Sequence, residues 1–413
     1  MTTFGILVGG GPAPGINGVI GAATILARKS GARVIGILDG FRWLMEGSVE
    51  HVTELQIPDV SRIHLAGGSI LRTSRANPTK SGEALANVVK SLDALGVDRL
   101  ITIGGDDTAF SARRVAELAG GRIRVVHVPK TIDNDLPLPQ GIPTFGFETA
   151  RELAADVVTR MLEDARTTGR WYFVIVMGRK AGHLALGAAK AAGATLCLIP
   201  EDFPAGPIRL DHVARILEGS VVKRLAMGRP DGVAVIAEGI GERLEPGDLE
   251  GLDAVERDEH GHIRLAEVPL GRVLRDRVRD SLAKLGVKTT IGEKDVGYEL
   301  RCAAPRAFDL DYTRDLGAGA VRTLLAGGSS VLVTRQAGGA IVPIPFDELM
   351  DPKTGRTRVR MVDTSTASHE SARALQVRME KRDLAEPGML AALARVTNLA
   401  PEDARKRYEP VCD

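Results

Sequence analysis

The sequence predicts an α/β protein of two Rossmann-like lobes, each built on a mostly parallel sheet. Short apolar runs rich in β-branched residues recur along the chain, glycine follows nearly every run, and a helix-like stretch precedes the next. At 413 residues the chain exceeds the usual size of one domain, so two lobes are expected, with a cleft between them as the default place for a ligand.

The predicted strands are FGILVGG at 4–10, RVIGIL at 33–38, RLITIGG at 99–105 and IRVVHVP at 123–129. They continue with WYFVIVMG at 171–178, ATLCLIP at 194–200, GVAVIAEG at 232–239 and SSVLVTR at 329–335. Each is apolar on both faces, which reads as a strand buried inside a parallel sheet. Ligands of such sheets bind beyond the carboxyl ends of the strands, where the glycine-rich and charged clusters of this chain fall. The Pro-rich stretch LPLPQGIP at 136–143 predicts a boundary, followed by a helix around 146–165 that begins the second lobe. The expected division is a first lobe at 1–139 completed by part of 302–350, a second lobe at 140–301, and a charged, helical C-terminal extension at 351–413. The charged segment 241–267 reads as a surface excursion, and the arginine-rich helix GRVLRDRVRD at 271–280 most simply as a solvated face, with a subunit contact as the alternative.

Fifty-four Lys and Arg balance 53 Asp and Glu for a net charge of +1, so the bulk charge points to neither nucleic acid nor an anionic membrane. Any attraction for phosphate must be local. Cys197, Cys302 and Cys412 lie far apart, which predicts neither a disulfide framework nor a zinc site and fits a reducing compartment. FGILVGGG lacks the basic flank and long apolar core of a signal peptide, and no run approaches the ~18 apolar residues of a membrane span. A cytoplasmic protein without a membrane partner is expected. The 47 glycines beside 44% hydrophobic residues are turn chemistry rather than disorder.

Four strand ends carry candidate chemistry. VGGGPAPGINGVIGAA at 8–23 places small residues before a helix whose free N–H groups suit an anion, a weak signal alone because many such turns bind nothing. ITIGGDDTAFSA at 101–112 ends a strand with Asp106 and Asp107; helix capping explains one acid, and Mg²⁺ on phosphate oxygens explains the other. HVPKTIDNDLPLP at 127–139 packs Lys130, Thr131, Asp133 and Asp135 into six residues, a charge density improbable for a purely structural loop. Its lysine can bind phosphate and a carboxylate can accept a hydroxyl proton. VIVMGRKAGHLAL at 174–186 sets Arg179 on a turn, with Arg170 seven residues before Met177; an arginine at a strand end is often only a surface residue, yet two arginines around one glycine turn suit an anionic ligand. His183 on the following helix reads as a packed or surface residue.

GGGPAPGIN, GGDDT, PKTIDND, MGRKAG and AEG stand here in the order and spacing of the phosphofructokinase family, which the chain resembles over about residues 4–335. The resemblance implies phosphoryl transfer to the 1-hydroxyl of fructose 6-phosphate, Mg²⁺, and a homodimer or homotetramer with sites shared between subunits. Residue by residue, Asp133 matches the general base, Thr131 its neighbour on the sugar phosphate, Ile132 and Asp135 further substrate contacts, and Asp106 the carboxylate serving Mg²⁺. Gly10 and Arg75 of GGSILRTSR at 67–75 match donor-phosphate contacts. Met177, Gly178 and Arg179 resemble the sugar-binding turn, Glu238 an acid on sugar hydroxyls, and Tyr298 with Arg301 in GYELR the pair on the 6-phosphate. Arg170 matches an arginine that reaches this phosphate from a neighbouring subunit.

The donor is read from two positions. ATP-using relatives usually carry glycine in place of Asp107 and of Lys130, whereas pyrophosphate users resemble this sequence at both. A carboxylate at Asp107 would repel and crowd an α-phosphate, and Lys130 can neutralise charge on pyrophosphate. The resemblance therefore implies a reversible pyrophosphate-dependent reaction. Rivals are an ATP-dependent enzyme, use of sedoheptulose 7-phosphate as well, or a non-catalytic sugar-phosphate sensor. Pro12 replaces the family's usual aspartate, and no second subunit-crossing arginine precedes Tyr298, although Lys288 or Lys294 could substitute.

Overall fold

In the computed structural model, residues 1–250, 268–336, 338–353 and 357–412 are described. Their strands, in chain order, are β1 (Thr3–Val8), β2 (Arg33–Ile37), β3 (Val52–Glu54), β4 (Arg99–Gly104), β5 (Arg124–Pro129), β6 (Trp171–Val176), β7 (Leu196–Leu198), β8 (Gly232–Ala237), β9 (Ile291–Val296), β10 (Val331–Arg335) and β11 (Ile341–Pro345). One sheet has seven strands in the order β11-β10-β5-β4-β1-β2-β3, and the other has four in the order β7-β8-β6-β9. The four-stranded sheet is wholly parallel. In the larger sheet only the outermost pairs, β10 with β11 and β2 with β3, are antiparallel. The expected α/β class and all eight predicted strands are present.

Interior strands lack alternation because both faces are covered: every residue of β1 and of β8 is buried. The three strands absent from the sequence reading, β3, β9 and β11, all lie at sheet edges. There one flank is open, and β9 leaves Glu293, Lys294 and Asp295 exposed, so no apolar run announces it.

The chain forms two compact units: Met1–Ala150 with Tyr298–Arg360, and Arg151–Gly297 with Met361–Asp413. The first division falls inside the helix Phe147–Thr168 rather than in the Pro-rich stretch, since Leu136, Leu138 and Ile142 belong to the first unit's core. Tyr298 and Arg301 also fall in the first unit, not with the second lobe as the sequence suggested. The segment 361–413 is not an appendage. Its Met379, Leu384, Leu393 and Tyr408 enter the same core as Trp171, Phe173 and Ile236.

Buried charges fasten that segment. Lys223 Nζ meets Asp383 at 2.6 Å and Glu380 at 3.3 Å, and Glu218, 1% exposed, takes Arg407 at 2.7 Å and the Tyr408 hydroxyl at 2.9 Å. Ions held this far from water require such partners. The arginine-rich helix is Leu270–Lys284, where Arg275 meets Glu293 and Arg277 meets Asp211. The excursion expected at 241–267 lies mostly outside the described residues. No described helix is long and apolar enough to cross a membrane. The three cysteines are free thiols.

Asp309 secures the start of the helix Phe147–Thr168. Its Oδ1 accepts the Gly146 N–H at 2.7 Å, and Oδ2 accepts the Thr149 N–H at 2.8 Å and hydroxyl at 2.6 Å. Burial raises its pKa, and these bonds only partly oppose the rise. Asp309→Ala would strand three buried donors, so urea denaturation should show a loss of ~2–4 kcal/mol. Asp309→Asn, which keeps an acceptor, should lose less.

Candidate functional site

Three loops leave the adjacent carboxyl ends of β1, β4 and β5. After β1, the Gly9 N–H donates to Ile103 O and the Gly10 N–H to Ser74 O, both at 2.8 Å, while the Thr73 hydroxyl donates to Gly10 O at 2.6 Å. Gly10 has φ +81°, in the left-handed region where a side chain would be strained. Its loop then enters the helix Ile16–Lys29.

After β4, Gly105 caps the helix Asp106–Ala119, so Asp106 and Asp107 both occupy its first turn. There the helix terminus favours negative charge and offsets part of their repulsion. Asp106 Oδ1 accepts the Asp107 N–H at 2.9 Å. Asp107 is exposed and Asp106 half-buried.

After β5, the Lys130 N–H donates to Gly104 O at 2.7 Å, and its ammonium donates back to Gly11 O. Lys130 is only 4% exposed. Burial pushes its pKa down to about 8; Asp133 and Asp135 favour the charge, and Arg301 and Arg75 oppose it. Thr131 Oγ1 accepts the Asp133 N–H at 3.1 Å, and Asn134, with φ +57°, accepts the Thr144 N–H at 3.0 Å on Oδ1. Ile132 is 4% exposed, so its side chain packs inward and only its backbone can meet a ligand. Arg301 lies beside Gly11, within 3.6–3.8 Å of where a Cβ would stand, and 5.2 Å over the ring of Tyr298, which is 78% exposed.

The second unit carries its own turn. After β6, the Met177 N–H donates to Val296 O at 3.0 Å, and the Gly178 N–H to Glu238 Oε2 at 3.3 Å. Gly178 has φ +141°, which glycine alone adopts readily. Arg179 Nε stands 3.7 Å from Glu242 Oε1, and burial raises the Glu242 pKa against that attraction. The Gly182 N–H donates to Glu201 Oε1 at 3.0 Å before the helix His183–Ala192. Arg170 precedes β6 whereas Met177 follows it. At ~3.3 Å per residue the strand separates them by roughly 20 Å, so the two arginines do not flank one glycine turn as expected.

Sequence reasoning missed two supports in the first unit. His127, wholly buried in β5, donates from Nε2 to Gly104 O at 3.0 Å; Nδ1 then accepts the Thr102 hydroxyl at 2.8 Å. The tautomer follows from the carbonyl, which can only accept. Burial pushes its pKa down to about 3. A histidine inside the apolar run IRVVHVP was its only signal. The other support, Arg360, reaches the Asp133 loop from far along the chain.

A sequence profile described as Phosphofructokinase matches residues 3–324. A pyrophosphate–fructose 6-phosphate 1-phosphotransferase of Thermotoga maritima is 54% identical over 98% of this chain and 97% of its own. A protein of that name from Naegleria fowleri is 50% identical over 99% of this chain and 95% of its own. An ATP-dependent 6-phosphofructokinase of Thermus thermophilus is 33% identical over 82% of this chain and 91% of its own. Among solved structures, the pyrophosphate-dependent phosphofructokinase of Marinobacter aquaeolei superposes with a TM-score of 0.69 over 89% of this chain and 88% of its own, at 18% identity, a likeness of fold.

His127 makes acid stability testable. The unfolded imidazole takes a proton near pH 6.5 and the folded one near pH 3, so its stabilisation is present above pH 6.5 and declines as pH falls. Between pH 7 and pH 5 urea denaturation should show the native protein losing about 2 kcal/mol more than His127→Gln, which does not titrate.

Proposed function

The chain belongs to the phosphofructokinase family, and on that premise we propose that it is a pyrophosphate-dependent 6-phosphofructokinase, making fructose 1,6-bisphosphate and phosphate reversibly. The observation that carries the donor assignment is Lys130, a buried ammonium drawn onto the glycine loop beside Asp133 and Asp135. Its charge is placed for a compact phosphate donor. Asp107, exposed at the head of its helix, would repel a third phosphate and fill the space that phosphate needs.

In this reading O1 of the sugar attacks the near phosphorus, the bridging P–O bond breaks, and phosphate leaves. Asp133 takes the 1-hydroxyl proton, and its loop is held in shape by Thr131. Lys130, Arg75 and the Gly10 backbone stabilise the charge on the moving phosphoryl group. Met177, Gly178, Arg179 and Glu238 bind the sugar, and Tyr298 with Arg301 its 6-phosphate. Arg170, at the far end of β6, serves the site of a second copy, which makes the working unit a homodimer or homotetramer. The cytoplasm is its compartment.

Mg²⁺ fits the donor set. Among the described residues no three His, Cys, Asp or Glu side chains are grouped to cage a metal. Mg²⁺ needs no such cage, because it commonly uses one or two carboxylates and completes its shell with phosphate oxygens and water. Asp106 would hold it, and the ion would supply charge neutralisation to the donor phosphates.

Initial rates with Mg²⁺ test the donor directly. Pyrophosphate should support turnover, and kcat/KM with ATP should be lower by about a hundredfold or more. Comparable rates with the two donors would overturn the assignment and favour the ATP-dependent reaction.

Lys130 gives the reaction an alkaline limit. The cation is present below its folded pKa and lost as pH rises through it, so kcat/KM for pyrophosphate should fall above about pH 8. In Lys130→Arg, whose guanidinium stays charged, that limb should vanish even if the plateau is lower.

A further inference from the structure

We propose that Arg360 is a positioning residue for the loop that carries Asp133. It lies in RTRVRM, a charged stretch whose sequence reads as surface. The structure turns its guanidinium inward. Nε donates to Asn134 O at 3.0 Å, Nη1 donates to Ile142 O at 2.8 Å, and Nη2 donates to Asn134 Oδ1. Its backbone N–H donates to Asp135 O at 2.7 Å. One residue thus spans both limbs of the loop.

The loop needs an external brace. Asn134 adopts φ +57° next to Asp133, a left-handed conformation that asparagine enters when its side chain is hydrogen-bonded. Its amide oxygen is shared by the Thr144 N–H at 3.0 Å and by Arg360, and Thr144 in turn donates its hydroxyl to Thr131 O at 2.6 Å. Removing the guanidinium leaves two carbonyls and one amide oxygen short of a donor and frees the limb that holds Asp133. Burial lowers the Arg360 pKa while Asp135 opposes the shift, so the charge is held by its surroundings. The planar fork explains the choice of arginine: a lysine presents one nitrogen and cannot reach all three acceptors.

Arg360 touches no reacting atom in the proposed reaction; it fixes the direction from which the base approaches. The inference rests on the reading of Asp133 as general base for its kinetic consequence but not for its structural one. Loss of fixed geometry at a reacting group costs up to two orders of magnitude in rate.

The experiment measures Arg360→Met and Arg360→Lys, each alone and combined with Asp133→Asn, by steady-state kinetics with pyrophosphate and by amide hydrogen exchange. In both single variants kcat should fall ~10–100-fold while KM for fructose 6-phosphate changes less than ~3-fold. Exchange should rise at 131–145 and stay native in β1, β4 and β5, a pattern that general destabilisation would not give. In the Asp133→Asn background the substitution should add little, because the two act through one group. Unchanged loop exchange, kcat within twofold of the native enzyme, or the same fold-loss in both backgrounds would overturn the proposal. If Arg360→Met fails to fold, Arg360→Lys, which keeps the stem and the charge, decides the same points. Native turnover by Asp133→Asn would instead reject the base assignment, and the exchange data alone would then judge Arg360.

Discussion

An ammonium shut away from water must be compensated by groups within reach, and Lys130 imposes that requirement on three loops at once. Its Nζ takes the Gly11 carbonyl of the first loop, its backbone N–H takes Gly104 at the end of β4, and the carboxylates of Asp133 and Asp135 favour its charge. This works because β1, β4 and β5 are consecutive neighbours in a parallel sheet, so all three chains leave the same edge side by side. His127 extends the arrangement one layer down. Its Nε2–H shares the Gly104 carbonyl with the Lys130 N–H, joining the loops after β4 and β5 at one oxygen. Were either loop to shift, the buried charge would lose partners it cannot replace from solvent.

The sequence made the sheets legible where burial is symmetrical. β1, β4, β5, β6 and β8 are covered on both faces and appear as continuous apolar runs. β9 has the same backbone geometry but sits at an edge, and its IGEKDV carries three exposed charged residues, so its pattern is that of a loop. The Pro-rich stretch misled for a related reason. Proline and glycine mark turns, yet Leu136, Leu138 and Ile142 between them are buried in the first core, and a turn that packs is not a linker. The C-terminal segment reads as a charged extension because its Arg378, Asp383 and Arg407 find their partners, Asp202, Lys223 and Glu218, far back in the chain, and such pairing is invisible in a one-dimensional string.

At the candidate site, legibility followed contiguity. Asp106, Asp107, Lys130, Thr131 and Asp133 stand within short motifs at strand ends, where the chain order alone places them. Arg360 lies 226 residues from Asn134, and nothing local separates it from the other arginines of its segment. Only burial against the Asn134 and Ile142 carbonyls distinguishes it. The pairing of Arg170 with Arg179 misled in the opposite sense: seven residues from Met177 look close on paper, but an extended strand spends them on distance within one chain.

Lys130 also sets the balance between stability and chemistry. A folded pKa of about 8 against an ordinary value near 10.5 means that, below pH 8, folding carries a penalty of roughly 3 kcal/mol from this residue alone. The penalty vanishes only above pH 10.5, where the lysine is neutral in both states. A stability-driven sequence would place an apolar residue there, as proteins commonly gain stability by giving up strained functional groups. In the proposed reaction that cost has a use, because a donor without a nucleoside to grip must draw its binding energy from contacts at the phosphates themselves. The desolvation that lowers the Lys130 pKa strengthens its attraction for an incoming anion. A chain with a net charge of only +1 has no broad field to concentrate phosphate, so a dry, costly, local cation is the means its composition leaves.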